Sequence, residues 1–184
     1  MGHTKKQQQK AFETLKEQFA YTSPMAAPAL EKVVVAVGTG SLPDKNKVEI
    51  IEDRLAKITG QKPAPRPAKK SIASFKTRIG QIIGYQVTLR GARMYDFLDR
   101  FLHVALPRSR DFQGVKPSAL DEMGNLTIGV KEHTIFPETS DEELKDIFGL
   151  SVTIVTSARD REEALAFLET VGVPFRATDT KGGK

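Results

Sequence analysis

The residues best equipped for chemistry in this 184-residue chain are cations. Arg54, Lys57, Lys62, Arg66, Lys69, Lys70, Lys76, Arg78, Arg90 and Arg93 all fall between Asp53 and Asp96, an interval without a single acidic residue. Lysines and arginines in such density neutralise phosphates and release their counterions, which is chemistry of binding and not of bond making. Their setting is unusual too. In "KPAPRPAKK", Pro63, Pro65 and Pro67 alternate with Ala64 and Arg66. Proline fixes φ and has no N–H, so the run is predicted to be an edge strand or a polyproline-like extension that holds its cations with little freedom to lose.

Catalytic patterns are weak by comparison. "VGTG" supplies Gly38 and Gly40 after a strand, but Pro43 occupies the third glycine's place in a dinucleotide fingerprint, so a plain turn is expected. His3, His103 and His133 are far apart and lie in no metal-ligand spacing, and no metal or other cofactor is expected. Asp141, Glu142 and Glu143 could pair as carboxylates, yet the first turn of a helix favours negative charge for structural reasons. With no cysteine, the chain has no disulfide, thiolate zinc site or cysteine nucleophile. Two alternatives remain beside the main reading: an enzyme that binds a nucleotide at the Gly38–Gly40 loop, and a generic RNA chaperone.

The charge is strongly polarised. Residues 1–53 carry seven basic and seven acidic side chains, 54–110 thirteen and two, and 111–184 eight and fourteen, giving balances of 0, +11 and −6. A polyanion is the natural partner of the middle block. No apolar run approaches the roughly 18 residues of a membrane span, so no membrane partner is expected. The opening "MGHTKKQQQKAFETLKEQFA" has no apolar stretch of the kind a secretory signal needs, and a cytoplasmic protein is expected. The length suits one domain over residues 1–176, with a disordered tail over 177–184.

The elements that must position the cations follow from periodicity. A first helix is predicted over about Lys5–Ala20, with Phe12, Leu15 and Phe19 at helical spacing. A strand over Lys32–Val37 turns Val33, Val35 and Val37 one way and Lys32, Val34 and Ala36 the other. Val48, Ile51, Leu55 and Ile58 mark a helix over Lys45–Thr59 that Gly60 ends. "QIIGYQVTLRG" is a strand with Tyr85, Val87 and Leu89 on one face and Gln86, Thr88 and Arg90 on the other. Met94, Phe97, Leu98, Phe101, Leu102 and Ala105 stripe a third helix that Pro107 stops. After a structured loop, "NLTIGVKE" turns Leu126, Ile128 and Val130 inward. A capping box spans Ser140 and Glu143, "SVTIVTS" is a strand, and Asp160–Val171 is a last helix with Leu165 and Leu168.

Strands that alternate apolar and polar residues, separated by helices, predict an α+β fold: a mainly antiparallel sheet of about five strands with helices on one face. The other face is then open, and it carries Lys32, Gln86, Thr88, Arg90, Asn125, Thr127, Lys131, Ser151 and Thr153, without a carboxylate. Hydroxyls, amides and cations suit RNA, whose 2′-hydroxyls and phosphates they can meet. Aromatics are few in the basic region, so shape recognition of folded RNA fits better than base stacking. "SFKTRIGQIIG" places Gly80 and Gly84 around Ile82 and Ile83, next to Lys76 and Arg78; it is either a hinged loop reaching a second partner or a long hairpin.

These same segments carry a resemblance. "ITGQKP", "AKKSIASFK", "VTLRGARMYDFLDR", "ALPRSRDFQG" and "IFPE", in that order and flanked by "YTSPM", "KVVVAVGTG", "VTIVTSA" and "GVPFR", resemble the bacterial-type family of large-ribosomal-subunit protein five over about Phe19–Arg176. The resemblance implies a noncatalytic, cytoplasmic, ribosome-bound protein of the central protuberance that holds 5S ribosomal RNA. Its other implied partners are large-subunit rRNA and neighbouring ribosomal proteins. By the same similarity, Gln61 and Thr88 match positions that hydrogen-bond the RNA. Lys32, Lys62, Arg66, Lys69, Lys70 and Arg90 join them from charge and face, as phosphate contacts. The family's loop over the peptidyl-site transfer RNA matches Ser74, Phe75, Lys76, Thr77, Arg78, Ile79, Gly80, Gln81, Ile82, Ile83 and Gly84. Its bridge to a small-subunit protein falls near Phe136 to Leu144. Two departures stand out: Ala36 where the family has asparagine on an RNA-facing strand, and Gln113 where arginine is usual.

Overall fold

The computed structural model describes residues 2–40, 45–110, 112–139 and 147–176. The Ser140 capping box, most of the proposed bridge segment and the tail over 177–184 lie outside them. Five helices, α1 (His3–Phe19), α2 (Lys45–Thr59), α3 (Gly91–Arg100), α4 (Leu106–Arg108) and α5 (Arg161–Val171), accompany five strands among the described residues. The strands are β1 (Leu30–Gly38), β2 (Ala64–Pro67), β3 (Ile82–Leu89), β4 (Leu126–Val130) and β5 (Leu150–Thr156). They form one antiparallel sheet in the order β2-β3-β1-β5-β4, so the proline-rich strand is an edge. The α+β fold expected from the alternation of the strands is the fold observed.

Alternation holds strand by strand. Val33, Val35 and Val37 are buried while Lys32, Val34 and Ala36 are half-buried; Tyr85, Val87 and Leu89 are buried while Gln86 and Thr88 are half-buried. Leu126, Ile128 and Val130 repeat the pattern on β4, and Leu150, Val152 and Ile154 on β5. In these four strands a period of two places one side in the core and leaves the other partly wet, whereas β2 is exposed throughout.

Contacts divide the chain into two units. The first comprises Met1–Val33, Arg90–Ile128 and Thr153–Lys184. In it α1 packs on α3 and α5. The helix begins two residues earlier than its spacing predicts, because Asp99 of α3 accepts hydrogen bonds from the main-chain N of Thr4 (2.7 Å) and from its hydroxyl (2.5 Å). Such a partner does for the exposed first-turn donors what a capping side chain would. Leu15 and Ala11 are its buried apolar residues; Phe12 and Phe19 are only half-buried, the one under the Lys16 ammonium and the other stacked on Tyr21. All six apolar residues of the third stripe are buried, but Pro107 does not stop the helix. The chain widens into a π-helical turn over Phe101–Ala105, in which Leu106 N donates to Phe101 O, and Pro107 enters α4 at its start. A helix start tolerates proline, whose missing N–H has no partner there anyway.

The second unit comprises Val34–Leu89 and Gly129–Val152. Here α2 has the predicted bounds, and Ile51, Leu55 and Ile58 are buried. His133 is wholly buried and stacks on Phe148 at 4.1 Å, and its main chain pairs with Phe148 O at 3.1 Å, which makes it a core histidine.

Candidate nucleic-acid interface

The end of α2 sets the position of Gln61. Gly60 takes φ +68°, a left-handed turn that suits glycine, and its N–H returns to Ala56 O at 2.8 Å. The Thr59 hydroxyl donates to Leu55 O at 2.7 Å, and Gln61 N donates to that same hydroxyl at 3.4 Å. So fixed, the Gln61 side chain reaches β3, where its Nε2 donates to Thr88 O at 3.5 Å. Two residues 27 positions apart in sequence, singled out separately, are thereby neighbours.

Beyond Gln61 the chain enters β2, which pairs antiparallel with β3: Ala64 opposite Gln86, Pro65 opposite Tyr85, and Arg66 opposite Gly84. Directly paired residues share a face, so Arg66 lies on the side of Gln86 and Thr88, whereas Pro65 lies on the side of buried Tyr85. Ala68 N donates inward to Gln81 O at 2.8 Å. By alternation Pro65 and Pro67 then occupy positions whose N–H would point outward, where proline costs no ladder bond and blunts the edge against pairing with another strand.

Lys62, Arg66, Lys69, Lys70 and Arg90 are exposed, and none forms an ion pair among the described residues; Lys32, Gln61 and Thr88 are half-buried. Two members of the acid-free interval are opposed after all. Lys57 Nζ lies 2.9 Å and Arg54 Nη1 3.6 Å from Asp53 Oδ2, so the carboxylate at the interval's border neutralises charge within it. The hydrogen bond from Lys57 holds the Asp53 carboxyl below the usual range, with the charges of Lys57 and Arg54 in support and partial desolvation opposing. A cleft of about 740 Å³ beside Gln61 is lined by Glu49, Glu52, Asp53, Lys57, Lys62 and Pro63, so carboxylates do stand near one end of the predicted cationic surface. Tyr85 lies near this acidic side of α2: burial first, then the charge of Glu52 and a hydrogen bond to it, raises its pKa.

In the first unit, the Thr127 and Thr153 hydroxyls meet at 3.0 Å on the partly exposed side of β4 and β5. Asn125 is not free to bind: its N and Nδ2 donate to the Asp121 carboxylate at 2.6 and 3.0 Å. Burial would raise the Asp121 pKa, but these bonds and one from Met123 N outweigh it and lower it. An acid therefore stands beside a residue set that looks anion-free in sequence.

The segment over 74–84 is a built hairpin. Ile72 and Thr77 exchange hydrogen bonds at 3.2 Å, Lys76 N closes the turn on Ala73 O at 3.1 Å, and Ile79 N donates to the Ser71 hydroxyl at 3.0 Å. Its tip is apolar and wet: Phe75 is 72% and Ile79 70% exposed, with Ile82 and Ile83 also exposed. Of the two glycines, only Gly80 has a positive φ, at +85°. Gly84 lies inside β3, where a Cβ would stand 2.6 Å from Val37 O; its role is close strand approach, not hinging. Sequence reading missed this because a glycine's two uses look alike without the neighbouring strand. Thr39 N, which a phosphate-binding loop would need free, donates to Ile83 O at 2.9 Å.

Comparison with known proteins identifies the class of protein to which this surface belongs. Residues 23–78 match the family described as Ribosomal protein L5, and residues 82–175 match the model of the same ribosomal family's C-terminus. The large ribosomal subunit protein uL5 of Anaeromyxobacter sp. (strain K) is 50% identical over 163 residues, 88% of this chain and 91% of that protein. That of Rubrobacter xylanophilus is likewise 50% identical over 163 residues, with the same coverage. That of Halothermothrix orenii is 48% identical over 162 residues, 88% of this chain and 90% of its own. These relatives are named as ribosomal proteins and not as enzymes. With both segments matched and about half of the aligned residues shared, the chain belongs to the ribosomal protein L5 family.

Proposed function

We propose that this chain is a ribosome-bound structural constituent of the large subunit that holds 5S rRNA through the open side of its sheet and the β2 edge. The observation that carries the reading is the juxtaposition of Gln61 with Thr88, beside a proline-stiffened edge whose Lys62, Arg66, Lys69 and Lys70 are exposed and without ion pairs among the described residues. Cations there neutralise phosphates, whereas the Gln61 amide and Thr88 hydroxyl give hydrogen bonds that a poorly shaped RNA leaves unmade. Lys32 and Arg90 add phosphate contacts.

The hairpin over 74–84 fits a second RNA, the peptidyl-site tRNA. An exposed aromatic and isoleucine tip flanked by Lys76 and Arg78 suits a sugar edge next to a phosphate. The segment from Phe136 toward Leu144 is the proposed bridge to a small-subunit protein.

The test is filter binding of the full chain to 5S rRNA and to a tRNA of similar length. Thr88→Ala and Gln61→Ala should each reduce the preference for 5S rRNA by about tenfold, from loss of a hydrogen bond worth on the order of 1 kcal/mol and the unmet RNA group left behind. Lys69→Glu with Lys70→Glu should weaken both RNAs together. A double variant that binds 5S rRNA as the parent does would remove those lysines from the interface. Equal affinity of the parent for the two RNAs would overturn the assignment to 5S rRNA.

A further inference from the structure

We infer that His3 of α1 and His103 of the π-helical turn after α3 form a binding site for a divalent transition-metal ion of the Zn²⁺ and Cu²⁺ class, which ties the start of α1 to that turn. The inference is separate from the RNA reading and does not rest on it.

His3 and His103 lie far apart in sequence and in no ligand spacing, but both belong to the first unit, and folding sets their rings edge to face with centres 4.8 Å apart and planes at 89°. An ion held at about 2.0–2.1 Å by one nitrogen of each ring would keep the ring centres roughly 4.5–5.2 Å apart, for bond angles between about 90° and 109°. The observed separation falls inside that range. Both side chains are exposed, so an ion can reach them from solvent. His103 owes its place to the π-helical turn over Phe101–Ala105, a local widening of a helix that is found frequently at functional sites.

The surroundings favour a cation. Asp99, one turn before His103, uses Oδ1 to accept Thr4 N at 2.7 Å and the Thr4 hydroxyl at 2.5 Å. Its Oδ2 comes so close to the main chain just before His3 that a Cβ on Gly2 would stand 2.0 Å from it. The His103 ring also lies against the C-terminal end of α5: a Cβ on Gly172, the residue that caps that helix, would stand 3.7 Å from Cε1. A helix C-terminus carries partial negative charge and attracts cations. Gln7, one turn on from His3, places its side-chain amide 3.4 Å from His3 Nε2 and steadies that ring. Among the described residues no group of three histidine, cysteine, aspartate or glutamate side chains is arranged to hold one ion. The two imidazoles are therefore the protein's ligands, water completes the shell, and Asp99 acts through its charge. Imidazole donors suit Zn²⁺, Ni²⁺ and Cu²⁺, whereas Mg²⁺ prefers oxygen.

The test is calorimetric titration of the full, untagged chain at neutral pH with CuCl₂, ZnCl₂ and MgCl₂. The parent should take one Cu²⁺ or one Zn²⁺ per chain, Cu²⁺ the more tightly, and no Mg²⁺. H3Q and H103Q should each lower Cu²⁺ and Zn²⁺ affinity by about tenfold or more, because each leaves a single imidazole. Proton NMR of the parent gives a second readout: Zn²⁺ should shift the ring signals of both His3 and His103 and leave those of His133, the remaining histidine, which is wholly buried. Absence of Cu²⁺ and Zn²⁺ binding overturns the inference, as does binding that either variant leaves at the parent's strength. A shift confined to one ring overturns it too, since a single exposed imidazole would then take the ion alone. Where a variant's circular dichroism departs from the parent's, the ring shifts of the parent decide.

Discussion

At the scale of single residues, what the sequence made legible was identity and face, and what it hid was engagement. Thr88 was expected on the open side of the sheet from alternation, and both Thr88 and Gln61 as RNA contacts from the family resemblance; the two are half-buried and linked by one hydrogen bond. The i,i+4 spacing of Asp53 and Lys57 on a predicted helix is itself a pairing signal, which a count of acids within the interval passes over, whereas the hold of Asp121 on Asn125 depends on a turn that spacing does not define. Ala36 stands where the family resemblance leads one to expect asparagine. It is half-buried on the open side of β1, the Ser151 hydroxyl donates to its carbonyl at 3.3 Å, and its methyl side chain offers no amide. Ala36→Asn should restore one hydrogen bond to the RNA. We expect about fivefold tighter 5S rRNA binding, equivalent to roughly 1 kcal/mol, with little change in the melting temperature. Unchanged or weaker binding by the variant would show that residue 36 does not touch the RNA.

Elements were read most reliably where one period governs a whole segment. The bounds of α2 and the inward sides of four strands follow from spacing alone, since burial of a face is what the period encodes. Reading failed where a tertiary partner reshapes an end: Asp99 extends α1, and the π-helical turn lets Pro107 begin a helix that it was expected to stop. Packing of the chain just after α1 against α5 adds a contact that periodicity does not encode. Glu163, in the first turn of α5, is buried, accepts a hydrogen bond from the Tyr21 hydroxyl and accepts Arg159 N at 2.7 Å. Burial, then the bond and the charge of Glu163, raises the Tyr21 pKa above its ordinary 10.0. Tyr21→Phe removes a donor from a buried carboxylate and should cost about 1–3 kcal/mol at neutral pH, measured by urea unfolding. The sign with pH follows from the raised value. The contribution of Tyr21 to the parent's stability is fully present below about pH 10 and is lost progressively above it, because the unfolded tyrosine ionises while the folded one stays neutral. The variant has no such group at position 21, so the gap between the two proteins should narrow above about pH 10. A constant gap would mean that Tyr21 is not held as a neutral donor.

For the molecule as a whole the governing quantity is the distribution of charge, not its net value of +5. Thirteen of the 28 basic residues fall in 54–110 with only two acidic ones, and the structure keeps the cations of the β2 edge outside the core. Burial of those side chains would have removed the electrostatic basis for RNA binding; their exposure preserves it. Exposed charges act over a Debye length of roughly 8 Å at physiological ionic strength, so the cations nearest a bound phosphate count most. Binding should therefore be set by local cations and be strongly salt-dependent. If Lys32, Lys62, Arg66, Lys69, Lys70 and Arg90 each neutralise one phosphate, log affinity for 5S rRNA should fall against log salt with a slope of about −5, or about 1,000-fold between roughly 50 and 200 mM. Charge-neutral variants of single members should each reduce the slope by roughly 1, whereas Thr88→Ala should weaken binding at every salt concentration without changing it. A parent slope shallower than about −2 would mean that most of these cations face water in the complex, and hydrogen bonding by the open side of the sheet would then have to supply the affinity.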